Sequence, residues 1–108
     1  MRNSSEQKAR RHYRLRFYRI LGANVWIAGY ELDLVVRRGR RLAFVEVKSK
    51  SGDRFGDPVE MVGPEKQRRI RRAAEAWLAK HPELAALETS FEVIAVRGDR
   101  LERLREAF

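Results

Sequence analysis

A chain of 108 residues has room for one hydrophobic core, and 44% hydrophobic residues set it apart from disordered tails despite 36% charged residues. It has no cysteine, which excludes disulfides and thiolate zinc sites, and its longest apolar runs are of strand length, too short for a membrane span. A net charge of +9 favours a polyanionic partner, most often nucleic acid. The segment after Met1 is charged, without the apolar region of a signal peptide, so a cytoplasmic protein is expected, nucleoid association being compatible with it. Ser4 and Gln7 then read as a capping box opening a helix through at least Arg16. Its inward stripe would be Glu6, Ala9, Tyr13 and Phe17. Residues 18–28 fit either a continuation of that helix to Leu21 or a first strand.

Two clear strands follow, Glu31–Val36 and Leu42–Lys48, flanking the turn Arg38-Gly39-Arg40 and predicting a hairpin. A loop from about Ser49 to Gly63, rich in glycine and proline, comes next. Pro64 suits the first turn of a second helix, running to about Lys80 with Ile70, Ala73, Ala74, Trp77 and Leu78 inward. Phe91–Val96 is a further strand, turned at Gly98-Asp99, and the tail Leu101–Phe108 fits strand or helix. The order predicts a single α/β domain, a sheet packed by helices with an antiparallel hairpin at its centre.

The informative residues are charges inside apolar strands. Side chains alternate across a strand, so Glu31 and Asp33 share one face, as do Glu46 and Lys48 on the next. An unpaired charge buried there costs several kcal/mol. A Gly39-Arg40 loop would set Asp33 opposite Glu46; an Arg38-Gly39 loop would set Glu31 there instead, with Asp33 diagonal to Glu46. Either register gathers carboxylates on one face, where opposed like charges destabilise the pair. A divalent cation relieves this, and hard oxygen ligands suit Mg²⁺ or Mn²⁺. Lys48 could position a water or neutralise a phosphate; equally, it could simply pair with Glu46 or Asp33.

On the helices, Glu6 and Lys66 each point inward from a first turn. Glu6 is accounted for by the helix N-terminus, whereas Lys66 gains nothing from that end of the dipole. The other basic residues cluster in two segments, Lys8 to Arg19 and Lys66 to Arg72. Lys66, Arg69 and Arg72 on one helix, with Arg10 and Arg14 on the other, are candidates for phosphate contacts. His12 and His81 lack metal-pair spacing, Trp77 fits the core, and no phosphate-cradling glycine loop or nucleophilic serine arrangement is present. Phe55 and Tyr30 are aromatic residues with either a stacking or a packing role.

Tyr30-Glu31-Leu32-Asp33-Leu34 and Phe44-Val45-Glu46-Val47-Lys48 resemble the paired motifs of the YraN family of small bacterial proteins. Phe55-Gly56-Asp57-Pro58, Glu60, Val62, Lys66, Arg69-Ile70, Ala74 and Trp77-Leu78 follow the family's order, and the likeness extends from helix one to Phe108. That family is grouped by resemblance with PD-(D/E)xK nucleases, including Holliday-junction resolvases. The resemblance implies a restriction-endonuclease-like fold with a central mixed sheet, a first helix ending near Arg16, and a first strand beginning at Tyr18-Arg19-Ile20-Leu21. It implies Asp33 and Glu46 as metal ligands supported by Glu6, and Lys48 as the catalytic lysine. Where the family has glycine this chain has Phe17 and Tyr30, and where it has arginine this chain has Trp26. The expectation is an Mg²⁺- or Mn²⁺-dependent endonuclease on DNA ahead of RNA, branched DNA included, with a homodimer as one way to span it. Its rivals are a non-catalytic binding module on the same fold and an RNA-associated factor.

Overall fold

The computed structural model describes residues 4–49 and 62–108. Helix α1 spans Ser4–Arg14, and strands β1, β2 and β3 span Arg19–Ile27, Tyr30–Arg38 and Arg41–Ser49. Helix α2 spans Pro64–Ala79, a single 3₁₀ turn covers Pro82–Leu84, and β4 and β5 span Glu88–Arg97 and Arg100–Leu104. The glycines, prolines and other motif residues of the expected loop (Gly52, Phe55, Gly56, Asp57, Pro58 and Glu60) lie outside the described residues.

Helix α1 is shorter than its sequence pattern predicts, and Phe17 is not on its inward stripe. The Tyr18 N–H reaches back to the Tyr13 carbonyl at 3.0 Å and the Phe17 N–H to that of Arg14 at 3.0 Å. These are the two bonds of a Schellman motif, which puts the residue between them in left-handed backbone. Phe17 has φ 67° and stands 86% exposed. Glycine is the residue at ease there, so Phe17 holds this cap at a conformational cost. The hydrophobic contact that completes such a cap is the edge-on packing of Tyr13 against Tyr18, ring centroids 5.2 Å apart.

The five strands form one sheet in chain order, antiparallel except for the parallel pair β3–β4. The segment from 18 to 28 therefore resolves as a strand over Arg19–Ile27, and the tail contributes β5. Tight turns set each register. Ala28 (φ 51°) and Gly29 (φ 73°) join β1 to β2 with both loop residues left-handed, as a type I′ hairpin requires. Arg38 pairs with Arg41 across Gly39-Arg40, the first of the two registers considered above. A parallel pair needs a crossover, and α2 supplies it.

Alternation along the strands divides the core in two. Val35, Leu42, Phe44, Val93 and Ala95 pack on one face beneath Ile70, Ala73, Ala74 and Trp77 of α2. Leu34, Val36, Ala43, Val45, Ile94 and Val96 pack on the other beneath Ala9 and Tyr13 of α1. The two helices thus cover opposite faces, and the β2–β3 hairpin lies at the centre of the sheet.

Candidate functional site

The charged strand residues meet where the central hairpin opens. Residue pairing of β2 with β3 runs from Arg38–Arg41 to Leu34–Val45 and stops one step short of Asp33. There the Asp33 carboxylate takes the place of a backbone acceptor: its Oδ2 receives the Val47 N–H at 2.8 Å. Glu46 is 6% exposed and faces α2. Lys66 reaches down from the first turn of α2 and sets its Nζ 3.0 Å from Glu46 Oε1, while the Tyr30 hydroxyl donates to the same oxygen at 3.1 Å. An open cavity of about 430 Å³ fronts the group, bordered by Asp33, Glu46, Lys48, Lys66, Arg69 and Trp26.

The electrostatics follow from crowding like charges in pairs. Burial raises the Asp33 carboxyl from 3.8 to about 7, and Glu46 pushes it the same way; the Val47 N–H opposes the rise, while Glu6 and Glu31 add to it. Burial also lowers the Lys48 amine, helped by Lys66, whose amine lies within hydrogen-bonding reach. Burial disfavours the Lys66 charge too, but Lys48 and Glu46 outweigh it and hold Lys66 above the ordinary lysine range. Of the two lysines, Lys48 is therefore the one more ready to exist as a free amine.

Asp33 makes folding pH-dependent. The folded state holds its proton up to about 7, while the unfolded chain releases it near 3.8, so the folded form binds more protons between those values. With divalent metal chelated, stability is expected to fall as pH rises through that window. Asp33→Asn should flatten this part of the curve. Urea midpoints followed by tryptophan fluorescence measure both, and an unchanged slope in the variant would place the proton on another group.

Glu6 approaches from the α1 side. Asn24 Nδ2 donates to both its carboxylate oxygens, at 3.2 and 3.0 Å, and Asn24 itself sits at φ 52°, a conformation asparagine tolerates. Glu6 is near enough to raise Asp33, yet among the described residues no three His, Asp or Glu side chains converge closely enough to hold a metal ion by themselves. Two hard carboxylates suit an ion such as Mg²⁺, which keeps several waters and completes its shell with a substrate phosphate. The donors present fit such an ion at Asp33 and Glu46, whose carboxylates lie close enough for Glu46 to raise Asp33.

The basic residues divide. Lys66 and Arg69 border the cavity, Arg69 also pairing with Glu65 at 3.3 Å on the exposed side of α2. Arg72 is exposed on α2, and Arg14 is exposed on α1 across the sheet. Arg10, grouped with them by sequence, is 9% exposed, and its Nε and Nη2 have no hydrogen-bond partner among the described residues. Because α1 and α2 lie on opposite faces, the two basic segments do not form a single track.

Tyr30 and Trp26 are members of the site that sequence reasoning did not choose. Tyr30 has a sequence signal, since it shares strand parity with Leu32; its bond to Glu46 emerges only from the fold. His12 is half-buried with its ring edge-on to Tyr13, and burial, with Arg16 and Arg103, lowers it to about 4. His81 stacks on Trp77, and Trp77 is a core residue at 4% exposure. A second charged group, away from the cavity, lies under α1. Arg103 clamps Glu92 through Nε at 2.9 Å and Nη2 at 3.1 Å, the Tyr13 hydroxyl donates to Glu92 at 2.7 Å, and Arg103 donates to the Tyr18 hydroxyl at 2.9 Å.

A family model described as uncharacterised protein family UPF0102 matches residues 5–96. A UPF0102 protein of Yersinia pseudotuberculosis serotype O:1b (strain IP 31758) is 38% identical over 104 residues, covering 95% of this chain and 89% of its own length. A UPF0102 protein of Yersinia pestis bv. Antiqua (strain Angola) matches with the same identity and coverage. Among the described residues no helix is long and apolar enough to cross a membrane.

Proposed function

The chain belongs to the UPF0102 family, the YraN family of the sequence resemblance, and from that premise we propose that it is a divalent-metal-dependent PD-(D/E)xK endonuclease acting on DNA. The observation that supports this most is the pairing of two partly or fully buried carboxylates, Asp33 and Glu46, with two lysines at the mouth of an open, polar cavity. A buried acidic pair destabilises a fold unless a proton or a cation compensates it, and a phosphodiester site needs such a pair beside cations. Asp33 and Glu46 would hold Mg²⁺ or Mn²⁺, with Glu6 in support. Bound there, the ion would polarise a phosphate and acidify a water.

The chain's own residues have separate tasks in this reading. The Val47 N–H and the Tyr30 hydroxyl fix the two carboxylates in place. Lys48, held below its ordinary range, is more often a free amine than a surface lysine is, and so more often available to take a proton from an attacking water. Lys66 keeps its charge and faces the negative charge that develops on the phosphate. Arg69 at the rim holds a neighbouring phosphate, with Arg72 further along α2.

The Lys66–Glu46 contact favours a second reading. An internal ammonium already neutralises Glu46, so the same fold could bind nucleic acid without metal or cleavage. The test is cleavage of labelled linear, flapped and four-way DNA with Mg²⁺, Mn²⁺ or EDTA. Wild type is expected to cut only with metal, and Lys48→Ala to cut at least about a hundredfold more slowly. Binding that is salt-sensitive, indifferent to EDTA and never followed by cleavage would establish the binding module instead.

A further inference from the structure

Trp26 belongs to neither half of the core. It lies on edge strand β1, opposite Glu31 in register, and its side chain is 73% exposed. A ring of that size is ordinarily kept out of water. It is not stranded at random, however: it borders the cavity that holds Asp33, Glu46 and Lys48, and it also walls an adjoining shallow hollow of about 280 Å³ formed with Ile27, Ala28 and Gly29. Beside it the β1–β2 turn has no bulky side chain, Ala28 and Gly29 both being exposed, so the ring's surroundings on that side are open. A flat apolar surface thus borders a polar, cation-lined site whose wall also includes Lys66 and Arg69.

We propose that Trp26 is a stacking platform for an unpaired nucleobase next to the scissile phosphate, so that the preferred substrate has an unstacked nucleotide at the cut. This rests on the nuclease reading and specifies its substrate. In a continuous duplex every base is stacked on both sides, and the indole has nothing to receive. At a flap, gap or bulge a base is already unpaired, and its π-face can lie on the indole while the adjoining phosphate meets Lys66 and Arg69. Sequence preference is not expected, since every base has a face to offer. A second copy of this chain is the other candidate cover for an exposed tryptophan, and the cations beside it argue for the polyanion.

The experiment is equilibrium binding in EDTA, where cleavage is suppressed, to a paired duplex and to the same duplex with one unpaired fluorescent base analogue. Wild type, Trp26→Ala and Trp26→Phe are compared, and cutting of both DNAs with Mg²⁺ is measured in parallel. Trp26→Ala is expected to bind the unpaired substrate roughly tenfold more weakly while changing duplex binding little, and Trp26→Phe to retain most of the affinity. The analogue's fluorescence should be quenched by wild type and not by Trp26→Ala. Equal losses on the two DNAs, no loss, or a loss that tracks a change in sedimentation mass would overturn the platform. Metal-dependent cutting by wild type with any of those results leaves the nuclease standing, whereas wild type that neither cuts nor binds either DNA removes both.

Discussion

Glu46→Gln is expected to abolish metal-dependent cleavage, by about a thousandfold or more, while DNA binding holds or strengthens. The amide keeps the volume of the carboxylate, and its carbonyl can still accept from Tyr30 and Lys66, so the strand end stays in place. What disappears is one of the two charges that would hold the ion. The negative charge also leaves the path of an incoming phosphate, and the Lys66 charge, no longer neutralised by a carboxylate, can act on that phosphate. That combination, chemistry lost and grip kept, distinguishes a ligand from a packing residue. Cleavage at the wild-type rate would remove Glu46 from the site, and weaker binding with a lowered melting temperature would mark it as structural.

Arg103→Met should be the most damaging change for stability. Glu92 is 2% exposed, and Arg103 is its bidentate partner; methionine keeps much of the stem's volume over the Tyr13 and Tyr18 rings but leaves the carboxylate with the Tyr13 hydroxyl. Removing one member of a buried pair costs about 3–5 kcal/mol, because the other charge stays behind. For a domain of this size the melting temperature should drop by on the order of 15 °C. Glu92→Gln placed on the same background should recover part of the loss. Cleavage measured well below the new transition should be unaffected, since this group lies under α1 and the cavity faces α2. A loss under about 1 kcal/mol would mean that Glu92 is not held as a buried anion.

Most of the fold could be read from the chain because its signals are local. Gly39 and Gly98 mark hairpin loops, Pro64 marks the start of α2, and the apolar pattern of Ile70, Ala73, Ala74 and Trp77 identifies the face it buries. Glu46 and Lys48 stood out because charge inside an apolar strand needs a reason. The same rule applies to Glu92 in Phe91-Glu92-Val93, but no spacing in the chain identifies Arg103 as its buried partner. Partners were harder than positions. Lys66 was recognisable as an inward lysine, but that it touches Glu46 depends on how α2 crosses the sheet. Arg10 shows the converse: clustered arginines in sequence are spread around a helix, and one of them points into the core. Phe17 continued a helical stripe by spacing alone, and only the left-handed cap turned it outward.

The parallel pairing of β3 with β4 also orders events in time. Asp33 and Glu46 sit on strands joined by a two-residue turn, so the hairpin can bring them together quickly. Lys66 joins them only when the first turn of α2 packs on the sheet, a longer loop closure than that of the hairpin. The acidic half of the site is therefore expected to assemble before its internal cation arrives.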